Sequence, residues 1–148
     1  MNIQVRQTHN SSPPRMIIHG GAMVGKSTFC SQAPRPIFLP TEEGLKGLST
    51  NALTMQGKTR LETYEEFLAA LTFAENNLAN FDSLVIDSAD WLEALIHDKI
   101  CRDSKKPNIA EAKGGFGKGY IESLNEWSKL LTRLDRINSQ GKLSLIHI

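Results

Sequence analysis

The octapeptide Gly20-Gly21-Ala22-Met23-Val24-Gly25-Lys26-Ser27 constrains this chain more than any other stretch. It satisfies GxxxxGK[ST] at every position. Glycines let the backbone curl until several N–H groups face one point, where side chains would obstruct the approach. A curl of that kind concentrates positive partial charge, and a phosphate is the anion it fits. The flanks agree. Residues 16–19, Met-Ile-Ile-His, read as a buried strand of a parallel sheet, and residues 27–32 as a brief helix ended by Pro34 and Pro36.

On this reading Gly20, Gly21, Ala22, Met23, Val24, Gly25, Lys26, Ser27 and Thr28 form a P-loop that binds ATP. Lys26 is expected to reach the β- and γ-phosphates, and the Ser27 hydroxyl to take one Mg2+ position. The metal also needs a carboxylate. Asp87 is the candidate, because Leu84-Val85-Ile86 deliver it to the carboxyl edge of the sheet, where ligands bind in open α/β folds. The alternative is a strand-terminal Asp that caps the next helix, a task Ser88 or Asp90 can perform. Hydrolysis needs a group that orients water. Glu42 and Glu43, after the apolar Ile37-Phe38-Leu39, are placed for it; the alternative is a solvated acidic turn ending at Gly44.

Further along, Ala52 to Met55 reads as a small strand. Thr63 with Glu66 forms a capping box ahead of Phe67, Leu68, Leu71, Ala74 and Leu78 at helical spacing. A helix over about 90–101 carries Trp91, Leu92, Leu95 and Ile96, and another over about 120–138 carries Ile121, Leu124, Trp127, Leu131 and Leu134. Trp91 and Trp127 are expected in the core, and His19 at the end of its strand. Strands alternating with helices imply an α/β fold with a parallel sheet flanked by helices. The strand at 37–39, between Lys26 and Asp87 in the chain, suits the ATPase branch, where an extra strand separates the P-loop strand from the Asp strand. Nucleoside kinases usually lack that insertion and carry an Arg-rich lid, which is not apparent here. A small-molecule or nucleotide kinase stays as an alternative.

Composition excludes more than it proposes. Lys+Arg 17 against Asp+Glu 16 leaves a net charge of +1, so any basic surface must be local. Cys30 and Cys101 stand apart without metal-ligand spacing and read as reduced thiols of a cytoplasmic protein. No run approaches a membrane span, and residues 1–15 read as a flexible lead-in without a signal-peptide centre.

Several segments carry a resemblance. Residues 38–45, Phe-Leu-Pro-Thr-Glu-Glu-Gly-Leu, resemble the RecA-type segment that bears the catalytic glutamate, with Glu42 on that position. Residues 16–141 more broadly resemble phage RecA-like ATPases of the single-strand annealing type, often labelled AAA-family ATP-binding proteins. The matching pieces are the P-loop, Thr63-Tyr64-Glu65-Glu66-Phe67, Val85-Ile86-Asp87-Ser88-Ala89-Asp90-Trp91-Leu92-Glu93 and Phe116-Gly117-Lys118-Gly119-Tyr120. Pro40 stands where the family pattern usually has an Asp, which bears on how Glu42 is presented. The resemblance implies a RecA-like ATPase that works on single-stranded DNA in phage recombination or replication, as a homo-oligomer when full length. An ATP-ordered DNA-binding module with little hydrolysis is the alternative. Residues 99–120, with Lys99, Arg102, Lys105, Lys106, Lys113 and Lys118 around Phe116 and Tyr120, are the candidate DNA loop; the competing reading is a solvated loop with its aromatics tucked inward.

Residues 143–148, Leu-Ser-Leu-Ile-His-Ile, permit two readings. They suit a buried strand after the last helix. They are also what CTG-TCT-CTT-ATA-CAC-ATC encodes, a transposon end used in sequencing libraries. The expectation is that they translate adapter sequence, that residues 16–142 are a partial ATP-binding domain, and that the sheet is incomplete at its C-terminus.

Overall fold

The structure is a computed structural model that describes residues 13–140 and 144–147. Five parallel strands form one sheet: β1 (Arg15–Ile17), β2 (Pro36–Pro40), β3 (Asn51–Ala52), β4 (Ser83–Asp87) and β5 (Ser144–His147). Their spatial order is β1-β5-β4-β2-β3. Four α-helices connect them: α1 (Lys26–Ser31), α2 (Tyr64–Asn76), α3 (Ala89–Ser104) and α4 (Lys118–Ser139). The expected α/β class with a parallel, helix-flanked sheet is what the chain adopts.

Alternate residues of β2 and β4 point to opposite sides, and both sides are covered. Ile37, Leu39, Leu84 and Ile86 join the larger core with Phe67 and Leu71 of α2, Leu92 and Ile96 of α3, and Leu130 and Leu134 of α4. Phe38 and Val85 pack on the other face against Cys30 of α1. That double burial explains why both strands read as unbroken apolar runs.

α2 begins where its cap predicts. The Thr63 side chain accepts from the Glu66 N–H at 3.1 Å, while the Glu66 carboxylate takes the Glu62 N–H at 2.8 Å. The box is therefore shifted outward by one residue. α3 buries Leu92, Ile96 and Ile100, but Trp91 is 46 % exposed with the Arg60 guanidinium 5.8 Å from its ring centroid. Its expected core placement is corrected: Trp91 points off the face that meets the sheet. Trp127 packs against the core as expected.

Three further expectations change. Ile17 is 84 % exposed, because β1 is an edge strand paired to β5 alone. The strand stops at Ile17, so His19 lies in the following loop instead of ending the strand. On α4 the buried side is Ser123, Leu130, Leu134 and Ile137, whereas Ile121, Leu124 and Leu131 are exposed. The apolar arc of α4 is wider than the surface available to cover it.

The strand between the P-loop strand and the Asp strand is also a different one. It is β5, hydrogen-bonded to β1 on one side and β4 on the other, while β2 lies beyond β4. Residues 144–147 of the segment expected to be adapter translation thus fill a central slot; Leu143 and Ile148 lie outside the described residues. The lead-in expected over residues 1–15 falls mostly on residues 1–12, also outside them, and Arg15 belongs to β1. The small strand expected at 52–55 starts one residue earlier and stops at Ala52. Among the described residues, no helix is long and apolar enough to cross a membrane.

Gly119 locks the start of α4 onto the loop before it. A Cβ there would lie 2.0 Å from the Ile109 carbonyl oxygen and 3.0 Å from the Ala112 Cβ. Gly119→Ala is therefore expected to cost about 1–3 kcal/mol of stability by overpacking. Urea unfolding measures it, and an unchanged midpoint would mean that the loop yields freely.

Candidate functional site

β1 runs into the loop at residues 18–25, and α1 leaves it. Gly25 takes φ 89°, a left-handed conformation that favours glycine, and Met23 takes φ 61°. With both residues turned this way, the loop folds back on itself. The Lys26 ammonium closes it, donating to the carbonyl oxygens of Gly20 at 2.9 Å and Gly21 at 2.8 Å. An arriving anion would draw the ammonium away from those carbonyls.

The loop opens on a cleft of about 950 Å³. Gly20, Ala22, Met23, Gly25, Lys26, Ser27 and Thr28 line one side, with His19 beside them. Glu42, Glu43, Gly44 and Lys46 line another, and Asp87, Ser88 and Asp90 the floor. Of the loop residues singled out by sequence, Gly21 and Val24 do not line the cleft; Gly21 contributes its carbonyl to Lys26. Pro40 does not carry Glu42 away from the site. It closes β2 in register with Asp87, and Glu42 follows two residues later into the cleft.

Asp87 is the chemical centre. It is 1 % exposed, and neither carboxylate oxygen has a well-aligned hydrogen bond among the described residues, although Ser27 and Glu42 lie close enough to act on it. Burial pushes its carboxyl above the usual range; the Ser27 hydroxyl acts against this, Glu42 adds to it and Lys26 opposes it. The alternative role as a helix cap fails on geometry. Asp90 takes the Trp91 N–H at 3.0 Å and the Ser88 hydroxyl, so the start of α3 has its own carboxylate.

The two glutamates separate as well. Glu43 accepts from the Thr59 hydroxyl at 2.5 Å and sits 3.9 Å from Lys46. Glu42 is less exposed, and its charge acts on Asp87. Glu43 is tied to the loop; Glu42 faces the cleft.

Gly44 was read only as the end of an acidic turn, yet it shapes the space between these groups. A Cβ added there would meet Asp87 Oδ2 at 3.6 Å, Ser27 Oγ at 3.7 Å and Glu42 Cγ at 3.8 Å. Its φ lies outside the left-handed region, so conformation alone does not demand glycine. A hard cation takes oxygen ligands, and two orphaned carboxylate oxygens beside a hydroxyl, around a volume a methyl would fill, fit that requirement. Ser27 and Asp87 are the residues that would hold Mg2+.

The candidate DNA loop resolves into unlike parts. Lys99 pairs with Asp103 at 3.0 Å, and Arg102 with Glu65 at 3.0 Å and Asp98 at 2.9 Å. Lys105, Lys106, Lys113 and Lys118 are exposed and make no ion pair among the described residues. Phe116 is 99 % exposed, lifted out by left-handed conformations at Lys113, Gly114, Gly115, Phe116 and Gly117. Tyr120 is half exposed and makes an edge contact with His97.

Two substitutions probe the cleft. Asp87→Asn removes a buried charge that Ser27 and Lys26 offset only in part, and should raise metal-free stability by on the order of 1 kcal/mol, read as a higher Tm. It should at the same time weaken Mg2+-dependent nucleotide binding; a lower Tm would contradict the burial argument. Gly44→Ala should leave Tm within about 2 °C, since no contact is shorter than 3.6 Å, yet weaken the same binding. Unchanged binding would show that the space is not used.

A family model described as AAA domain matches residues 12–146, which takes in the loop, both acidic segments, β1 to β4 and all of β5 but its last residue. No curated protein and no solved structure matches the chain. The phosphate-loop geometry and the span of the match agree: the chain belongs to the AAA domain family of P-loop ATPases.

Proposed function

We propose that the chain binds ATP with Mg2+ and hydrolyses it in work on single-stranded DNA, in phage recombination or replication. The observation that carries the nucleotide reading is the convergence of Lys26, Ser27, Glu42 and Asp87 on one cleft, with both Asp87 oxygens buried and unpartnered. The loop N–H groups and Lys26 bind the phosphates. Ser27 and Asp87 hold the metal, which when bound neutralises phosphate charge. Glu42, free of the contacts that occupy Glu43, orients the attacking water and accepts its proton.

The DNA part rests on the resemblance of the GKGY and VIDSADWLE segments and on Phe116. An almost fully exposed aromatic with Lys113 and Lys118 nearby offers a base a stacking face and a phosphate its counter-charge. The same reading includes a homo-oligomer in the cytoplasm of the host cell.

ATP turnover with and without single-stranded DNA tests the proposal. Lys26→Ala should abolish turnover, and Glu42→Gln should lower it about 100-fold or more while sparing ATP binding. DNA should raise wild-type turnover, and Phe116→Ala should remove that rise. Turnover indifferent to DNA would remove the DNA reading; phosphoryl transfer to a nucleoside would replace the ATPase with a kinase.

A further inference from the structure

Thr41 is buried, 1 % exposed, at the junction of the two acidic segments. Its backbone N–H donates to the Asp87 carbonyl at 2.7 Å, and the Glu42 N–H reaches the same oxygen at 3.4 Å. Its hydroxyl donates to the Ser88 carbonyl at 2.7 Å and accepts from the Ser88 N–H at 2.9 Å. One small side chain thus bonds both polar backbone groups of the residue after Asp87, whose carbonyl also accepts from the Leu92 N–H at 3.1 Å. Neither of those groups can turn to water, because Ser88 is buried too.

The grip links the residue before Glu42 to the residue after Asp87. β2 and β4 are already in register up to Pro40 and Asp87, but sheet pairing ends there. Beyond that point, the backbone bonds to the Asp87 carbonyl and the Thr41–Ser88 contacts together hold the two strand ends side by side. Glu43 has its own tether in Thr59, whereas the Glu42 side chain lies against the Asp87 carboxyl itself. The backbone on either side of Glu42 therefore decides where its carboxylate stands.

We propose that Thr41 is a positioning residue that sets Glu42 against the Asp87 end of the cleft, through paired hydrogen bonds to the Ser88 backbone. Threonine suits the task. Its hydroxyl gives and accepts at once, and its branched Cβ restricts the rotamer that does so. Valine keeps the shape and removes both bonds; serine keeps both bonds and loses only a methyl. The inference rests on the reading of Glu42 as the water-orienting group.

The test compares Thr41→Val, Thr41→Ser and Glu42→Gln for kcat of ATP hydrolysis, ATP dissociation constant and Tm. Thr41→Val should lower kcat by about 10- to 100-fold through misplacement of the base. Its ATP dissociation constant should stay within about threefold of wild type, because Lys26 and the loop are untouched. Thr41→Ser should restore most of kcat. If Thr41→Val does not fold, Thr41→Cys is read the same way, since a thiol is a weak hydrogen-bonding substitute. Wild-type kcat in the valine or cysteine variant, beside an inactive Glu42→Gln, would overturn the role of Thr41 alone. Equal losses of kcat and ATP affinity would reduce Thr41 to a structural residue and also overturn it. Full activity in Glu42→Gln would instead bring down the reading of Glu42 on which the inference stands.

Discussion

An uncompensated carboxylate at the end of a buried strand is the constraint around which this molecule is arranged. β4 is buried at every position, so Asp87 reaches the cleft almost wholly withdrawn from water and, among the described residues, with no well-aligned hydrogen bond to either oxygen. An arrangement of that kind costs folding free energy, and a cation at the site turns the cost into binding affinity. The neighbours are consistent with that trade. Gly44 leaves room, Asp90 takes a first-turn N–H of α3 so that Asp87 need not, and Glu43 is diverted to Thr59. Stability and nucleotide affinity should therefore move in opposite directions at Asp87, whereas Gly44 separates them.

Much of this was legible in the residues, and for identifiable reasons. A strand buried on both faces has to be apolar throughout, so 84–86 announced both the strand and the carboxylate that ends it. Thr63 and Glu66 marked the start of α2 because a cap is a local hydrogen bond that needs nothing from the rest of the fold. The glycine-rich loop is likewise local, and Lys26 and Ser27 both line the cleft it opens on.

What failed to show depends on partners distant in the chain. Hydrophobic periodicity says that a face is apolar but not that another element will cover it. The exposed Ile121, Leu124 and Leu131 on α4, and Ile17 at the sheet edge, are the result. Trp91 went astray for the same reason, one position around the helix from Leu92. Thr41 carried no signal, because a buried threonine reads like any other small residue until the chain that passes it is known. Strand adjacency was similarly hidden: 37–39 and 144–147 are both short apolar candidates, and only the second meets β1.

That adjacency governs the order in which the molecule can assemble. Arg15 pairs with Leu145, and among the described residues β1 has no other strand beside it. The phosphate loop is therefore synthesised early, and α1 can pack Cys30 on Phe38 and Val85, yet β1 has no strand to pair with until β5 has slotted in beside β4. Closing so long a loop of chain demands entropy before it returns any contact, so the β2–β4 half of the sheet, with Asp87 and Glu42, can consolidate first. The two halves of the cleft are joined through the sheet only when β5 is in place between β1 and β4.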